Sequence, residues 1–332
     1  MILLLAFIIL ILNCIFLKRI SLFFNLIDSP DKIRKLHKQK AYLVGGIYFI
    51  PLLPLLLIEI GLENKLIIFY LSYAVITIIL GFYDDLRKVN ILHRLLIFNL
   101  LSIIFITFII TYNNHNGESF TFLNQIYKLT NLEAVILYSF IIFTFSNILN
   151  FTDGVDALIT NICMIFLNYL IFLFNINIFI LILSILYHAI FIFFNIRNKY
   201  FLGSSGIIFF TITISILFKI LHQFNKITIE ELLLFFEFIT LDFVFVIFHR
   251  LVNKQKPWIG DRNHLHFKIL NLFKNIFTLN LFYMALSILP LILYKFSILD
   301  FKSLFVVIFS IYLISRYLIN LKTPATLRKN IY

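Results

Sequence analysis

Apolar residues in this chain come in runs long enough to cross a bilayer, one after another from end to end, and that property decides the fold class. A helical span needs about 18 to 20 predominantly apolar residues. Eleven such windows occur, near 1–17, 42–60, 66–83, 95–112, 133–149, 156–173, 177–195, 204–221, 230–249, 277–294 and 302–319. A soluble core cannot hide the apolar surface of a chain that is 61% hydrophobic and 13% charged. The expectation is an all-α, polytopic integral membrane protein with about eleven helices in a single transmembrane domain over 1–332. No basic residue precedes the first window and no small-residue cleavage site follows it, so it reads as a retained span rather than a signal peptide. The turn between the sixth and seventh windows rests only on Asn175 and Asn177. Cys14 and Cys163 both fall in apolar runs and read as packing residues, not as a disulfide or a thiolate metal site.

The net charge of +12 does not point to nucleic acid, because the basic residues are scattered between the windows instead of gathered on one motif. Their alternation has a better explanation. Loops 18–41, 84–94, 150–155, 196–203 and 250–276 and the tail 320–332 together carry 21 Lys or Arg, and the opposite loops carry five. By the positive-inside rule the first set faces the cytoplasm, with the N-terminus outside and the C-terminus inside.

Every polar motif then lies on the cytoplasmic side. Asn147-Ile-Leu-Asn-Phe-Thr-Asp-Gly-Val-Asp-Ala-Leu158 ends one apolar run, and Gly81-Phe-Tyr-Asp-Asp-Leu-Arg-Lys88 ends another. Ionisable groups at the edge of a span are costly unless they meet water, a partner or an ion, and adjacent carboxylates need a cation or a basic group nearby. Asp84, Asp85, Asn150 and Asp153 are therefore expected to share one site. Asp28-Ser-Pro-Asp-Lys-Ile-Arg-Lys-Leu-His37 leads to Gly45-Gly-Ile47, which by itself reads as a solvated basic loop. Phe201-Leu-Gly-Ser-Ser-Gly206 has the small residues of a backbone nest for phosphate. Asp261-Arg-Asn-His-Leu-His266 has an arginine and two histidines suited to an anion. The chain is rich in Phe, Ile, Asn and Lys and has nine glycines, which reads as a coding bias, yet seven of the nine, at 45, 46, 81, 154, 203, 206 and 260, lie in or directly beside these motifs. Paired carboxylates, amides, glycines, arginine and histidines at one interface suit phosphoryl transfer with a hard divalent cation.

In this order the motifs resemble the bacterial polyprenyl-phosphate N-acetylhexosamine-1-phosphate transferases of glycosyltransferase family 4, over about 28–270. The resemblance implies transfer of a sugar phosphate from a UDP-sugar to undecaprenyl phosphate in the bacterial inner membrane. UMP is released, and cell-envelope glycan synthesis, such as that of cell wall or lipopolysaccharide O-antigen, begins. It implies Mg²⁺ or Mn²⁺ as cofactor, membrane lipid as surroundings and no nucleic acid as partner. It leaves the oligomer open, a homodimer among the options. Carried over by motif, Asp84, Asp85, Asn150 and Asp153 match catalytic positions. Asp156, Phe201, Gly203, Arg262, His264 and His266 match substrate-binding ones, and Asp153 is left as the metal ligand. The Asp-Arg-x-His-x-His form is similar to the branch using UDP-N-acetylglucosamine or a related UDP-sugar, whereas Lys88 echoes the muramyl branch. The departures are Ser204 where the family has its metal-binding Asp, Ile207 for a Ser, Phe267 for a third histidine, and no proline near Tyr42. Ser204 keeps a catalytically impaired relative in view as a second reading. An unrelated multispan transporter is the third, and it fits poorly because transporter sites lie near the bilayer midplane on broken helices.

Overall fold

In lipid, backbone polar groups must be satisfied within the segment that carries them, so apolar runs of this length become helices. The computed structural model describes residues 2–28, 40–112, 118–197, 199–258 and 262–322. In chain order the elements are α1 (Ile2–Phe23), β1 (Ile27–Asp28), β2 (Ala41–Leu43), α2 (Gly45–Phe49), α3 (Leu52–Glu59), α4 (Asn64–Arg87), α5 (Ile91–Tyr112), β3 (Glu118–Phe122), β4 (Gln125–Leu129) and α6 (Asn131–Thr152). There follow α7 (Leu158–Phe174), α8 (Ile178–Asn195), β5 (Tyr200–Phe201), α9 (Gly203–Gln223), α10 (Ile229–Val252), α11 (Leu265–Phe273), α12 (Ile276–Lys295) and α13 (Phe301–Lys322).

The chain is an all-α polytopic membrane protein. Among the described residues, eight helices are long and apolar enough to cross a membrane, and the apolar helices Gly45–Glu59 and Leu158–Phe174 are shorter. The 22-residue α1 falls on the first expected window. The second window holds two helices instead of one, α2 and α3, with Pro51 as the N-cap of α3. Proline brings no N–H to a helical ladder and clashes with the preceding turn, so a helix stops or restarts there. The turn expected at Asn175 and Asn177 is present. Asn175 is left-handed (φ 55°), and the Asn177 side chain accepts from Phe179 N–H to cap α8.

Two compact units divide the chain. The first includes α1 to α5, α6 as far as Asn150, α7 from Cys163, α8 and α9; the second includes Phe151–Ile162 and α10 to α13. In the first, α9 is the core helix: from Ser205 to Leu217 every residue but Ser215 is buried, as a helix apolar on all sides must be. It packs against α2 and α4. A small sheet in the order β1-β2-β5 sits beside it, with β2 and β5 parallel. The β3–β4 pair is an antiparallel hairpin through Leu123 and Asn124, both at positive φ, the backbone of a two-residue primed turn. In the second unit α10 packs against α12 and α13, and the short α11 lies against those two.

Candidate active site

α4 stays helical through its polar end and stops at Lys88, which is left-handed and whose N–H donates to the Asp84 carbonyl at 2.8 Å. Asp84 and Asp85 thus leave the last turn of a rigid helix, with Asp84 7% exposed. Each carboxylate has a separate task. Asp85 faces the first turn of α9, where its Oδ1 accepts from Ser204 N–H at 2.8 Å and its Oδ2 from Ser205 N–H at 3.2 Å and Ser205 Oγ at 3.0 Å. The first N–H groups of a helix have no intrahelical acceptor and carry a partial positive charge, so a carboxylate there is favourable. Asp84 Oδ2 accepts from Arg94 Nη1 at 2.6 Å and from Ser204 Oγ at 2.7 Å. Arg94 comes from the first turn of α5.

Glycines make this approach possible. A methyl group on Gly81 would come within 2.5 Å of Ser205 Cα, one on Gly46 within 2.7 Å of Ser205 Cβ, and one on Gly45 within 2.4 Å of the Leu202 carbonyl oxygen. Gly203, at φ +68°, would carry its methyl 2.8 Å from Asp85 Oδ2. Small residues let helices in a membrane approach backbone to backbone. Phe201-Leu-Gly-Ser-Ser-Gly206 is therefore not an open phosphate nest: its leading amides are held by Asp85.

Ser204, Arg94, Ser146, Asn147 and Asn150 line one pocket, whose other walls are Leu80, Leu95, Phe98, Ile207 and Ile208. The first unit accordingly brings together Asp84, Asp85, Gly203, Ser204 and Asn150 from three separated motifs, and adds Arg94. Phe201 is half-buried in β5, and its carbonyl accepts from Val44 N–H at 3.1 Å.

The remaining expected residues belong to the second unit. Asp153 is exposed and Asp156 half-buried, with the Asp156 carbonyl accepting from Asn280 Nδ2 at 3.2 Å. Arg262 is half-buried, and Asn263, His264 and His266 are buried. Asp261 lies outside the described residues. Asp242 of α10 organises this region. Its Oδ2 accepts from His264 Nδ1 at 2.9 Å, while its Oδ1 accepts from Leu265 N–H at 3.0 Å and Arg316 Nη1 at 3.0 Å, with Tyr312 Oη at 3.4 Å. The His264 and His266 rings stack 5.3 Å apart at 19°. Burial first, and then the neighbouring His264, push the His266 imidazole down to about 3, against a weaker opposing pull from Asp242, so it is neutral at physiological pH.

Asp242, His264 and His266 place ligand atoms within 4.8 Å of one another. They nonetheless make a poor site for a hard divalent cation. Both Asp242 oxygens are already taken, imidazoles do not suit Mg²⁺, and the Arg316 guanidinium sits on the same carboxylate. Sequence reasoning missed two groups here. Arg316 lies inside the last apolar window and Glu237 inside the ninth, and an ionisable residue in a span is a signal by itself. Glu237 is 4% exposed, and its oxygens meet no hydrogen-bond partner among the described residues.

No curated protein matches the chain. Residues 67–223, which carry Asp84, Asp85, Asn150, Asp153, Asp156, Phe201, Gly203 and Ser204, match the family described as glycosyl transferase family 4. Over those residues, on a polytopic helical fold, the chain is similar to glycosyl transferase family 4, a family of sugar-phosphate transferases acting on polyprenyl-phosphate lipids.

Proposed function

We propose that this protein transfers a sugar-1-phosphate, N-acetylhexosamine-1-phosphate by the motif pattern, from a UDP-sugar to undecaprenyl phosphate at the cytoplasmic face of a bacterial inner membrane. The observation that carries the reading is the pocket of the first unit. Its lining combines a guanidinium, three amide or hydroxyl side chains and Ser204 with the apolar Leu80, Leu95, Phe98, Ile207 and Ile208. That mixture suits a phosphate joined to a prenyl chain. In the reaction, a lipid-phosphate oxygen forms a bond to the sugar-bearing phosphorus of the UDP-sugar. The bond from that phosphorus to UMP breaks, and UMP leaves with the electron pair. Such a transfer asks mainly for positioning and for neutralisation of spread negative charge. Arg94 supplies charge, Asn150 and Asn147 supply amide donors, and Asp84 holds Arg94 and Ser204 in place. Asp153, Asp156, Phe201, Gly203, Arg262, His264 and His266 are assigned to the nucleotide and its diphosphate.

The family usually uses a divalent metal. The donor set of the first unit does not fit one well. Asp85 is occupied by three donors, and Asp84 already faces a guanidinium. At position 204 a neutral hydroxyl, donating to Asp84 itself, takes the place of the expected carboxylate. No step is assigned to an ion here. The same facts support the second reading, a relative with weak or no turnover that keeps the lipid-phosphate pocket.

The deciding experiment incubates purified protein with undecaprenyl phosphate and UDP-N-acetylglucosamine, UDP-N-acetylgalactosamine or UDP-glucose, with Mg²⁺ or with EDTA, and follows UMP release and lipid-linked product. UMP release that depends on the lipid phosphate supports the transferase. Its absence with every sugar, together with retained binding of undecaprenyl phosphate, sinks the catalytic reading in favour of the second.

A further inference from the structure

The last helix, α13, lies outside the matched residues and outside every motif, yet it sends an arginine to a histidine motif in the second unit. Arg316 is 4% exposed in an apolar helix, where a charged side chain is expensive unless paired. Its guanidinium makes two contacts that bracket one residue. Nη1 donates to Asp242 Oδ1 at 3.0 Å, and Nη2 donates to the Asn263 carbonyl at 3.0 Å. Asp242 completes the bracket: its Oδ1 accepts from Leu265 N–H at 3.0 Å, and its Oδ2 accepts from His264 Nδ1 at 2.9 Å. The peptide before His264, the peptide after it and its own ring are thus all held by one buried ion pair.

We infer that Arg316 is a positioning residue that, acting through Asp242, fixes the backbone and ring of His264 so that Nε2 is the nitrogen offered to substrate. A carboxylate paired with a guanidinium is an acceptor only, so the ring proton it receives is on Nδ1. His264 Nε2 is buried and meets no partner among the described residues, which is what remains when one ring nitrogen is engaged and the other is kept for a ligand. Tyr312, one turn before Arg316, adds a hydroxyl contact to Asp242 at 3.4 Å, and the Arg316 guanidinium lies 4.1 Å from the centre of the Phe245 ring, which limits its freedom further. Lysine cannot replace this arrangement, because a single ammonium has no planar fork to reach both a carboxylate and a carbonyl. The assignment rests on the proposed transferase reading for what Nε2 meets, a phosphate oxygen of the nucleotide sugar. The positioning itself does not depend on that reading.

The test uses full-length protein in nanodiscs. Selective ¹⁵N-histidine labelling reads the ring state of His264 at pH 8, with His264→Asn identifying its signals. In wild type the Nδ1–H tautomer is expected, and in Arg316→Lys a mixture of tautomers. In the transferase assay Arg316→Lys should lower kcat by between about 10- and 100-fold with KM little changed, the scale on which misplacing a reacting group acts. In a His264→Asn background the same change should cost almost nothing more, because both residues act through one ring. A single unchanged tautomer in Arg316→Lys, or losses that multiply fully in the double variant, overturns the proposal. Should Arg316→Lys fail to fold, Tyr312→Phe takes its place in the same cycle, with a loss of severalfold expected. If wild type transfers nothing, the transferase reading fails, and the tautomer measurement still decides the positioning role.

Discussion

Two carboxylate sites, one in each unit, solve the same local problem with different economy. Each must satisfy the first amide groups of a helix that follows it in sequence, and each must meet an arginine from another helix. In the first unit two adjacent aspartates divide the work: Asp85 takes the amides of α9, and Asp84 takes Arg94. In the second unit Asp242 alone takes the Leu265 amide, Arg316 and His264. The difference shows where each site has capacity to spare. Asp84 has a second oxygen, and Arg94 has 18% of its side chain exposed beside a pocket, so this pair can respond to a ligand. Asp242 is saturated, and what its site leaves available is a histidine nitrogen.

That contrast can be broken by substitution. Asp242→Asn should have the largest effect. It strands the Arg316 charge in the interior, where removing one partner of a buried pair costs about 3–5 kcal/mol, and thermal unfolding in detergent should show a large fall in Tm. Adding Arg316→Met should restore part of it, and a double variant no more stable than the single one would mean the pair is not energetically coupled. In the first unit the two aspartates should separate. Asp85→Asn removes a charged acceptor from the α9 terminus and should cost about 1–3 kcal/mol. Asp84→Asn should cost less stability than Asp85→Asn, because its partner Arg94 is partly exposed and can turn to solvent, and should reduce transfer by roughly 100-fold. If Asp84→Asn is instead the more destabilising of the two, the division of labour is wrong.

Ser204→Asp sharpens the same comparison. A second carboxylate beside Asp84 is repulsive until a cation bridges them, so the variant should lose stability in EDTA and regain it with Mg²⁺. Wild-type Tm should respond far less to the ion. The smallest effect comes from His266. Its neutral form is favoured in the fold, whereas an unfolded chain takes up the proton below about pH 6.5. Its contribution is therefore fully present above that pH and declines as pH falls toward about 3. At pH 5.5 the loss should be about 1.4 kcal/mol, and His266→Asn should flatten the dependence of Tm on pH.

The helices were legible because the bilayer leaves the backbone few alternatives, and the Asn175–Asn177 turn because asparagine tolerates the left-handed conformation. Pro51 marks the break in the second window, but window counting ignores it. The β3–β4 hairpin was hidden because its turn is Leu123-Asn124, not one of the glycine pairs that announce such turns. In the candidate sites, motif order pointed to Asp84, Asp85 and Asn150, but their partners were not readable. Ser204 lies 120 residues from Asp84 and Arg316 lies 74 from Asp242. Those contacts arise from helix packing, which leaves no local periodicity. Arg316 was the clearest missed signal, a charge within an apolar window that belonged to neither set of loops.

The close packing around glycine carries a consequence for how such a sequence tolerates change over time. The chain is rich in Phe, Ile, Asn and Lys and has only nine glycines in 332 residues. Added methyl groups at Gly45, Gly46, Gly81, Gly154, Gly203 and Gly206 would each meet another atom at 2.8 Å or less, and Gly61, which has open space around it, holds a φ of +76°. At Gly45 and Gly81 the obstacle is backbone, and Gly61 and Gly203 hold positive φ, so these four are the positions least able to take a side chain. The described glycines therefore trace the parts of the scaffold where a side chain has least room or the backbone is left-handed. A library randomising all positions should find its sharpest intolerance along that trace, ahead of the far more numerous phenylalanines and isoleucines.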